Sequence, residues 1–341
     1  MKRFILQLVF LLLGLSGAQC HGDTPAPLSP VTPETEQFRI KVVAPLPKGE
    51  KILYSHAQYG EEFSSIRAIR PDGSGMVDIV HLGSSGDDPV VSPDGKRFVF
   101  ALSDYESSII FVETDCCRKR FNLSLTHLFL VEGSDVVQLT GLQEKNVQDS
   151  PSGWSPDGKT IFFDRAANLR VDRENMRSLF EPRAVWAIDA DGTNLRRIME
   201  GSPSGISPDG KTMAVYRVEE IEGEFIGITY LVDMETLNSK FLSGRAWQCT
   251  FSPQGDRLSC FDRGTWNIGL YDLAGKLITE LTGFDVEVSD GTSWSPDGKW
   301  LAYVLREPEG RSVWKLPVDG SSPPVRLTDA GLWNDYVNWG R

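Results

Sequence analysis

The pentapeptide Ser-Pro-Asp-Gly-Lys stands at Ser92, Ser155, Ser207 and Ser295, and a degraded copy reads Ser252-Pro253-Gln254-Gly255-Asp256. Successive copies are 63, 52, 45 and 43 residues apart, so the chain is a repeat protein whose period suits a unit of several short strands. Two fainter copies extend the array. Leu46-Pro47-Lys48-Gly49-Glu50 lies 46 residues before Ser92 and precedes the strand-like Lys51-Ile52-Leu53-Tyr54. Trp339-Gly340, 45 residues after Ser295, matches Trp154-Ser155 and Trp294-Ser295. The two chain ends read as halves of one unit, which brings the count to six.

Each copy reads as a β-turn. Proline presets φ for the first turn position, aspartate suits the next, and glycine takes the left-handed position that closes a hairpin with a bulge. The turn joins a first strand ending in Trp, Val, Ile or Phe to a second strand such as Phe98-Val99-Phe100 or Leu301-Ala302-Tyr303. A third strand follows, as in Val185-Trp186-Ala187-Ile188, and ends in an Asp-Gly turn such as Asp191-Gly192. The fourth closes with Gln138-Leu139-Thr140, Glu280-Leu281-Thr282 or Arg326-Leu327-Thr328. Six such antiparallel units, closed by pairing of the N- and C-terminal strands, describe an all-β, six-bladed β-propeller, a ring with no long exposed edge. Tyr336 to Trp339 reads as the inner strand of the blade begun at Lys51. Phe38 to Val43 is strand-like too, without a predicted place.

Composition agrees. The 341 residues include 32 Gly and 20 Pro with 40% hydrophobic content, favouring many short strands over long helices. Lys2 and Arg3, the apolar run Phe4 to Leu15 and Ser16-Gly17-Ala18-Gln19-Cys20 make residues 1–20 a secretion signal, with an apolar run too short for a membrane span. Cleavage after Ala18 and lipidation of Cys20 both stand as readings, and a lipid at Cys20 would be the only membrane attachment. Residues 21–37, rich in Pro and Thr, form a tether, and 38–341 the propeller. A net charge of -12 argues against nucleic acid as a partner. The expected product is an exported monomer, periplasmic or lipid-anchored to the envelope.

The Trp-Ser-Pro-Asp-Gly-Lys hairpins and Leu-Thr strand ends of residues 46–340 resemble the repeats of the TolB-like propeller family. The resemblance implies the fold; for function it points to the Tol-Pal envelope system, where the propeller mouth binds a peptidoglycan-associated lipoprotein. That family's founding member carries an α/β domain ahead of the propeller, where this chain has its signal and tether. Related repeats also occur in propellers attached to peptidases and in stand-alone exported proteins.

Catalytic motifs are few. Gly153 to Thr160 and Gly205 to Thr212 match G-x-x-x-x-G-K-T, but Pro-Asp turns interrupt them and the β-forming runs Ile161-Phe162-Phe163 and Met213-Ala214-Val215 follow, where a phosphate loop needs a helix. G-x-S-x-G is absent from the sequence, which removes an esterase or peptidase elbow. His21, His56, His81 and His127 lack metal-ligand spacing, so no metal site and no cofactor are expected. Cys249 and Cys260 flank the fifth turn and should share a face, where a disulfide and two buried thiols are equally compatible with the pattern. Adjacent Cys116-Cys117 lie in a loop with three states open: reduced, bridged elsewhere or metal-binding.

The alternation of strand direction puts the Pro-Asp-Gly turns on one face of the disc. The opposite face carries two long loops on consecutive blades, one with Arg118, Lys119 and Arg120, the other with Arg165, Arg170, Arg173, Arg177 and Arg183. Long loops on a rigid scaffold are a common place for binding residues. At the mouth on that face Asp88, Asp149, Asp290 and Asp335 precede the turn position by four to six residues, suited to a channel cation, a basic partner segment or the capping of turns. The expected function is therefore non-catalytic binding of an envelope protein, peptide or glycan. Two alternatives are a polyuronate lyase-like propeller enzyme with a channel metal and a subunit of a Tol-Pal-like complex.

Overall fold

The computed structural model describes residues 39–341 except 58–63, 85, 105–107, 114–117, 143, 145, 173–176, 284–287 and 330–332. The signal, the tether, Cys20, Cys116, Cys117 and Arg173 lie outside the described residues. Among the described residues, regular structure comprises twenty-nine strands. In chain order, β1 (Lys41–Val42) forms the outer edge of β4 in a unit built from β2 (Lys51–Ala57), β3 (Ser64–Ile69) and β4 (Val77–Leu82). This places the strand-like segment that the sequence left unassigned. The second unit is β5 (Gly86–Val91), β6 (Arg97–Ser103), β9 (Thr126–Glu132) and β10 (Asp135–Gln138), interrupted by the hairpin β7 (Ile109–Glu113) and β8 (Arg118–Asn122). The third is β11 (Gln148–Trp154), β12 (Thr160–Ala166), β15 (Ala184–Asp189) and β16 (Arg196–Glu200), interrupted by β13 (Arg170–Asp172) and β14 (Arg177–Leu179).

Next come β17 (Ser202–Ile206), β18 (Thr212–Ile221), β19 (Glu224–Asp233) and β20 (Ser239–Ser243), then β21 (Ala246–Phe251), β22 (Arg257–Asp262), β23 (Ile268–Asp272) and β24 (Leu277–Glu280). β25 (Val288–Trp294), β26 (Trp300–Glu307), β27 (Gly310–Pro317) and β28 (Val325–Arg326) follow, and β29 (Trp333–Gly340) pairs antiparallel with β2 from Lys51↔Gly340 to Ala57↔Trp333. The first strands lie against one another in the order β5, β11, β17, β21, β25, β29, and β29 returns to β5.

The repeat turn holds itself together through its own side chains. In the third unit Ser155 donates its hydroxyl to Asp157 (2.6 Å) and accepts the Thr160 amide (2.9 Å), while Asp157 also accepts the Lys159 amide (3.2 Å). The same bonds recur at Ser92, Ser207 and Ser295. Gly158 sits at φ 68°, where a side chain would be strained. The degraded copy substitutes Asp256 for the missing carboxylate, accepting from Ser252 at 2.8 Å. Leu-Thr endings have an equally local cause. Leu139 and Leu327 are buried, and the Thr140, Thr282 and Thr328 hydroxyls accept the third-strand amides of Leu128, Ile268 and Val313, continuing the ladder where the fourth strand stops.

Between units the first strands are tied by indoles. Trp154 donates to the Val90 carbonyl (3.0 Å) and Trp294 to that of Thr250 (3.1 Å). Apolar side chains fill the wedges between sheets, for instance Leu53, Ile66, Phe98, Phe100 and Phe129 in one cluster and Phe261, Leu301 and Tyr303 in another. Each fully buried side chain of this kind stabilises the fold by about 1.5–3 kcal/mol. Cys249 and Cys260 are joined by a disulfide across β21 and β22, with Cα atoms 4.1 Å apart.

Candidate functional site

Every first strand breaks its ladder at the same level. The register shifts at Asp87/Val90 in β5, Pro151/Gly153 in β11, Pro203/Gly205 in β17, Trp247/Thr250 in β21, Ser289/Thr292 in β25 and Asp335/Val337 in β29. Each shift is a bulge, which bends the strand and re-aims a side chain. The extra residues Asp88, Ser152, Ser204, Gln248, Gly291 and Tyr336 all line one cavity of about 560 Å³. Asp88, Gln248 and Tyr336 adopt φ of 53°, 46° and 52°. Non-glycine residues there cost about 1–3 kcal/mol each and persist where the surroundings enforce them, as at ligand clamps.

The wall of this cavity has two characters. On one side Ser150 donates to Asp88, and Arg183 binds Asp164 (2.6 Å) and Gln148. Burial raises the Asp164 carboxyl above its ordinary range, against the opposing pull of Arg183. On the other side Tyr216 and Trp247 meet with ring centres 6.4 Å apart, and Arg263 covers both rings and donates to the Tyr216 hydroxyl (2.6 Å). Gln248 accepts the Gly291 amide of the next bulge (3.1 Å), and Thr250, Ser259 and Thr292 form a hydroxyl chain with contacts of 2.6 to 3.2 Å.

The four aspartates read from the sequence are not equivalent. Asp88 and Asp149 line the cavity, but the fully buried Asp149 carboxylate is held by Arg165 through two bonds of 2.6 and 2.8 Å. Asp335 pairs with Arg311 and is not among the lining residues. Asp290 belongs to the β25 bulge by its backbone. Their spacing of four to six residues before the turn spans the bulge, so side chains at different offsets leave the strand in different directions. Among the described residues no three His, Cys, Asp or Glu side chains are gathered as a metal site.

The arginine-bearing loops are also different from the expectation. Each contains a β-hairpin, β7–β8 and β13–β14, and the two pack together through Leu123, Leu125, Ala166 and Leu169 with Ile110 and Val171 alongside. Arg165, expected at a partner surface, is buried. It binds Asp149 and Glu144 (3.0 Å) and lies over the rings of Phe163 (5.3 Å) and Trp186 (4.7 Å), so it anchors the base of the insertion. Arg170 is exposed and donates to the Asn168 carbonyl (3.0 Å). Arg118, Lys119 and Arg120 lie along β8 and Arg177 on β14. In the sequence, Glu106, Glu113 and Asp115 balance the first cluster and Asp172, Glu174 and Glu181 most of the second, so neither loop is strongly basic.

The bulge ring escaped the sequence reading because a bulge is a property of pairing. One signal was present: Pro89, Pro151 and Pro203 interrupt first strands, and proline within a sheet is confined to edges and bulges.

Strands of this kind, packed unit on unit around a common cavity, define a β-propeller. Its fold is that of the TolB-like propellers. TolB from Acinetobacter baumannii is similar with a TM-score of 0.64 at 17% identity, over 88% of this chain and 68% of that one. A putative TolB from Agrobacterium tumefaciens gives 0.56 at 15% identity, over 86% and 99%. Hydrazine synthase from Kuenenia stuttgartiensis gives 0.59 at 12% identity, over 86% and 47%. No family model matches. In sequence the chain is 27% identical over 190 residues to an uncharacterised protein of Agrobacterium fabrum, covering 54% of this chain and 59% of that protein. The chain thus spans less than two thirds of the length of that curated relative.

Proposed function

We propose that this protein is an exported, non-catalytic propeller of six blades, four-stranded but for β1 at the outer edge of the first, closed through β2 and β29, whose channel binds a segment of an envelope protein. The observation that carries this reading is the ring of bulges, in which three non-glycine residues at positive φ turn side chains into one cavity. Backbone strain of this kind is costly, is held in place by the surrounding structure, and concentrates at ligand clamps and active sites. The cyclic contact of the six first strands supports the closed ring, and residues 1–37 support export with a tether. Asp88, Gln248 and Tyr336 are the residues assigned to the partner; Arg183 with Asp164 supplies a polar wall. A glycan is the second reading, favoured by the half-buried rings of Tyr216 and Trp247 lining the cavity beside amide and carboxylate groups.

Placing a photo-reactive benzoylphenylalanine at Gln248 tests the reading. A discrete adduct with an envelope protein is expected from Gln248 and not from Met76, which is exposed ahead of β4 and away from the cavity lining. Equal labelling from both positions, or chelator-sensitive turnover of polyuronate by the purified protein, overturns it.

A further inference from the structure

On the face of the repeat turns, the junctions between units differ at two aligned positions. At the junction of the second and third units Trp154 lies under the Arg97 guanidinium (5.2 Å), and Arg97 donates to the Gly158 carbonyl (2.8 Å). Tryptophan stands immediately before the turn serine, and arginine five residues after the preceding one. At the junction of the fourth and fifth units those positions hold Phe251 and Thr212. Phenylalanine has no N–H to reach the neighbouring strand, and threonine is too short to cover a ring. A groove of about 580 Å³ opens there, lined by both residues. At the third junction, where Ile206 and Thr160 occupy the same positions, Ile198, Met199 and Met213 share a cluster with Ile206.

The groove has an apolar lining of Leu231, Phe251 and Leu273 and carries Asp209 and Asp233 against the single cation Lys240. Lys240 donates to the Leu273 carbonyl (3.1 Å). The Ser207 hydroxyl and Lys211 amide hold Asp209 below the usual carboxylate range, and Thr236 does the same for Asp233, so both are ionised at neutral pH. An apolar lining with excess negative charge suits an aromatic ring beside a guanidinium, the pair that Trp154 and Arg97 supply elsewhere in the molecule.

We propose that this groove is a docking site for a partner protein presenting a tryptophan next to an arginine, which supplies in trans the pair that Trp154 and Arg97 form at the junction of the second and third units. The site lies on the turn face and is independent of the channel reading.

The test titrates the mature protein with N-acetyl-Trp-Arg-amide and follows backbone amide shifts. Saturable shifts are expected at 207–212, 231–240 and 251–255. The double variant Phe251→Trp/Thr212→Arg rebuilds the internal pair and removes them; Leu231→Trp fills the same space by another route and does the same. Asp209→Asn with Asp233→Asn weakens binding roughly two- to fivefold, as the loss of exposed ion pairs does, and leaves N-acetyl-Trp-Gln-amide unaffected. No saturable shift, shifts confined to the channel residues, or undiminished binding by both filled variants overturns the proposal.

Discussion

Arg165 and Asp149 show how a buried charge decides local structure. Both side chains are almost completely enclosed and satisfy each other bidentately, so removing one leaves the other desolvated and unpaired. Arg165→Met should destabilise the protein by about 3–5 kcal/mol in urea unfolding, and a compensating Asp149→Leu in the same chain should recover most of that loss. His127 lies in the same cluster. Burial lowers its pKa, opposed by Asp149 and Asp104 and assisted by Arg165. The folded state therefore resists the proton that the unfolded chain takes up near pH 6.5, so stability falls as pH drops below that value. His127→Gln should flatten the stability profile between pH 7 and 5, measured by melting temperature across that range; an unchanged profile would show that another group governs it. The identities of these residues were on the sequence, but their roles were not. Arg165 stood in a run of arginines that read as a surface loop, and only the pairing of β11 with β12 sets it opposite Asp149.

At the scale of elements, the strands and their turns were legible because Ser-Pro-Asp-Gly-Lys closes on itself through local bonds and needs no tertiary partner. What stayed hidden were features made by pairing across strands, the bulges and the two inserted hairpins, whereas the Cys249–Cys260 bridge was one of the two readings open to those cysteines. Cys249 lies inside the β21 bulge and Cys260 opposite it, so the bridge fastens the bulge that carries Gln248 into the cavity. Cys249→Ala with Cys260→Ala should lower stability by about 2–4 kcal/mol. It should also diminish crosslinking from Gln248 while leaving that from Tyr336 intact, since the two bulges belong to different units. Equal loss at both positions would mean that the bridge supports the fold only globally. The inserted hairpins form a second cooperative element. Leu169→Asp, which places a charge in their shared cluster, should speed amide exchange in β7, β8, β13 and β14 and leave β21 to β24 protected.

For the whole molecule, the decisive contact is the one between chain ends. β29 pairs with β2 along eight and seven residues respectively, and Lys51 reaches the Arg341 carbonyl, the contacts on which the proposed closure of the ring rests. If the ring is closed in this way, the position of the ends is arbitrary and the circle can be opened elsewhere. Gly133, between β9 and β10, has open space around it at φ 62° and is a suitable opening. A permutant that begins at Ser134, joins Arg341 to Glu50 by a short Gly-Asn loop and ends at Gly133 should fold cooperatively with the same far-ultraviolet dichroism. Its stability should fall by about 2–3 kcal/mol, because β1 and the buried Ile40 are lost with the removed segment. Deleting 333–341 from the natural order should be far worse: it uncovers the edge of β2 and leaves Ile52 and Tyr54 without Trp339. Size-exclusion chromatography separates the outcomes, with a monomeric permutant and an aggregating deletion expected. A deletion that remains monomeric and melts cooperatively, beside a permutant that does not, would show that the ends do not close the ring.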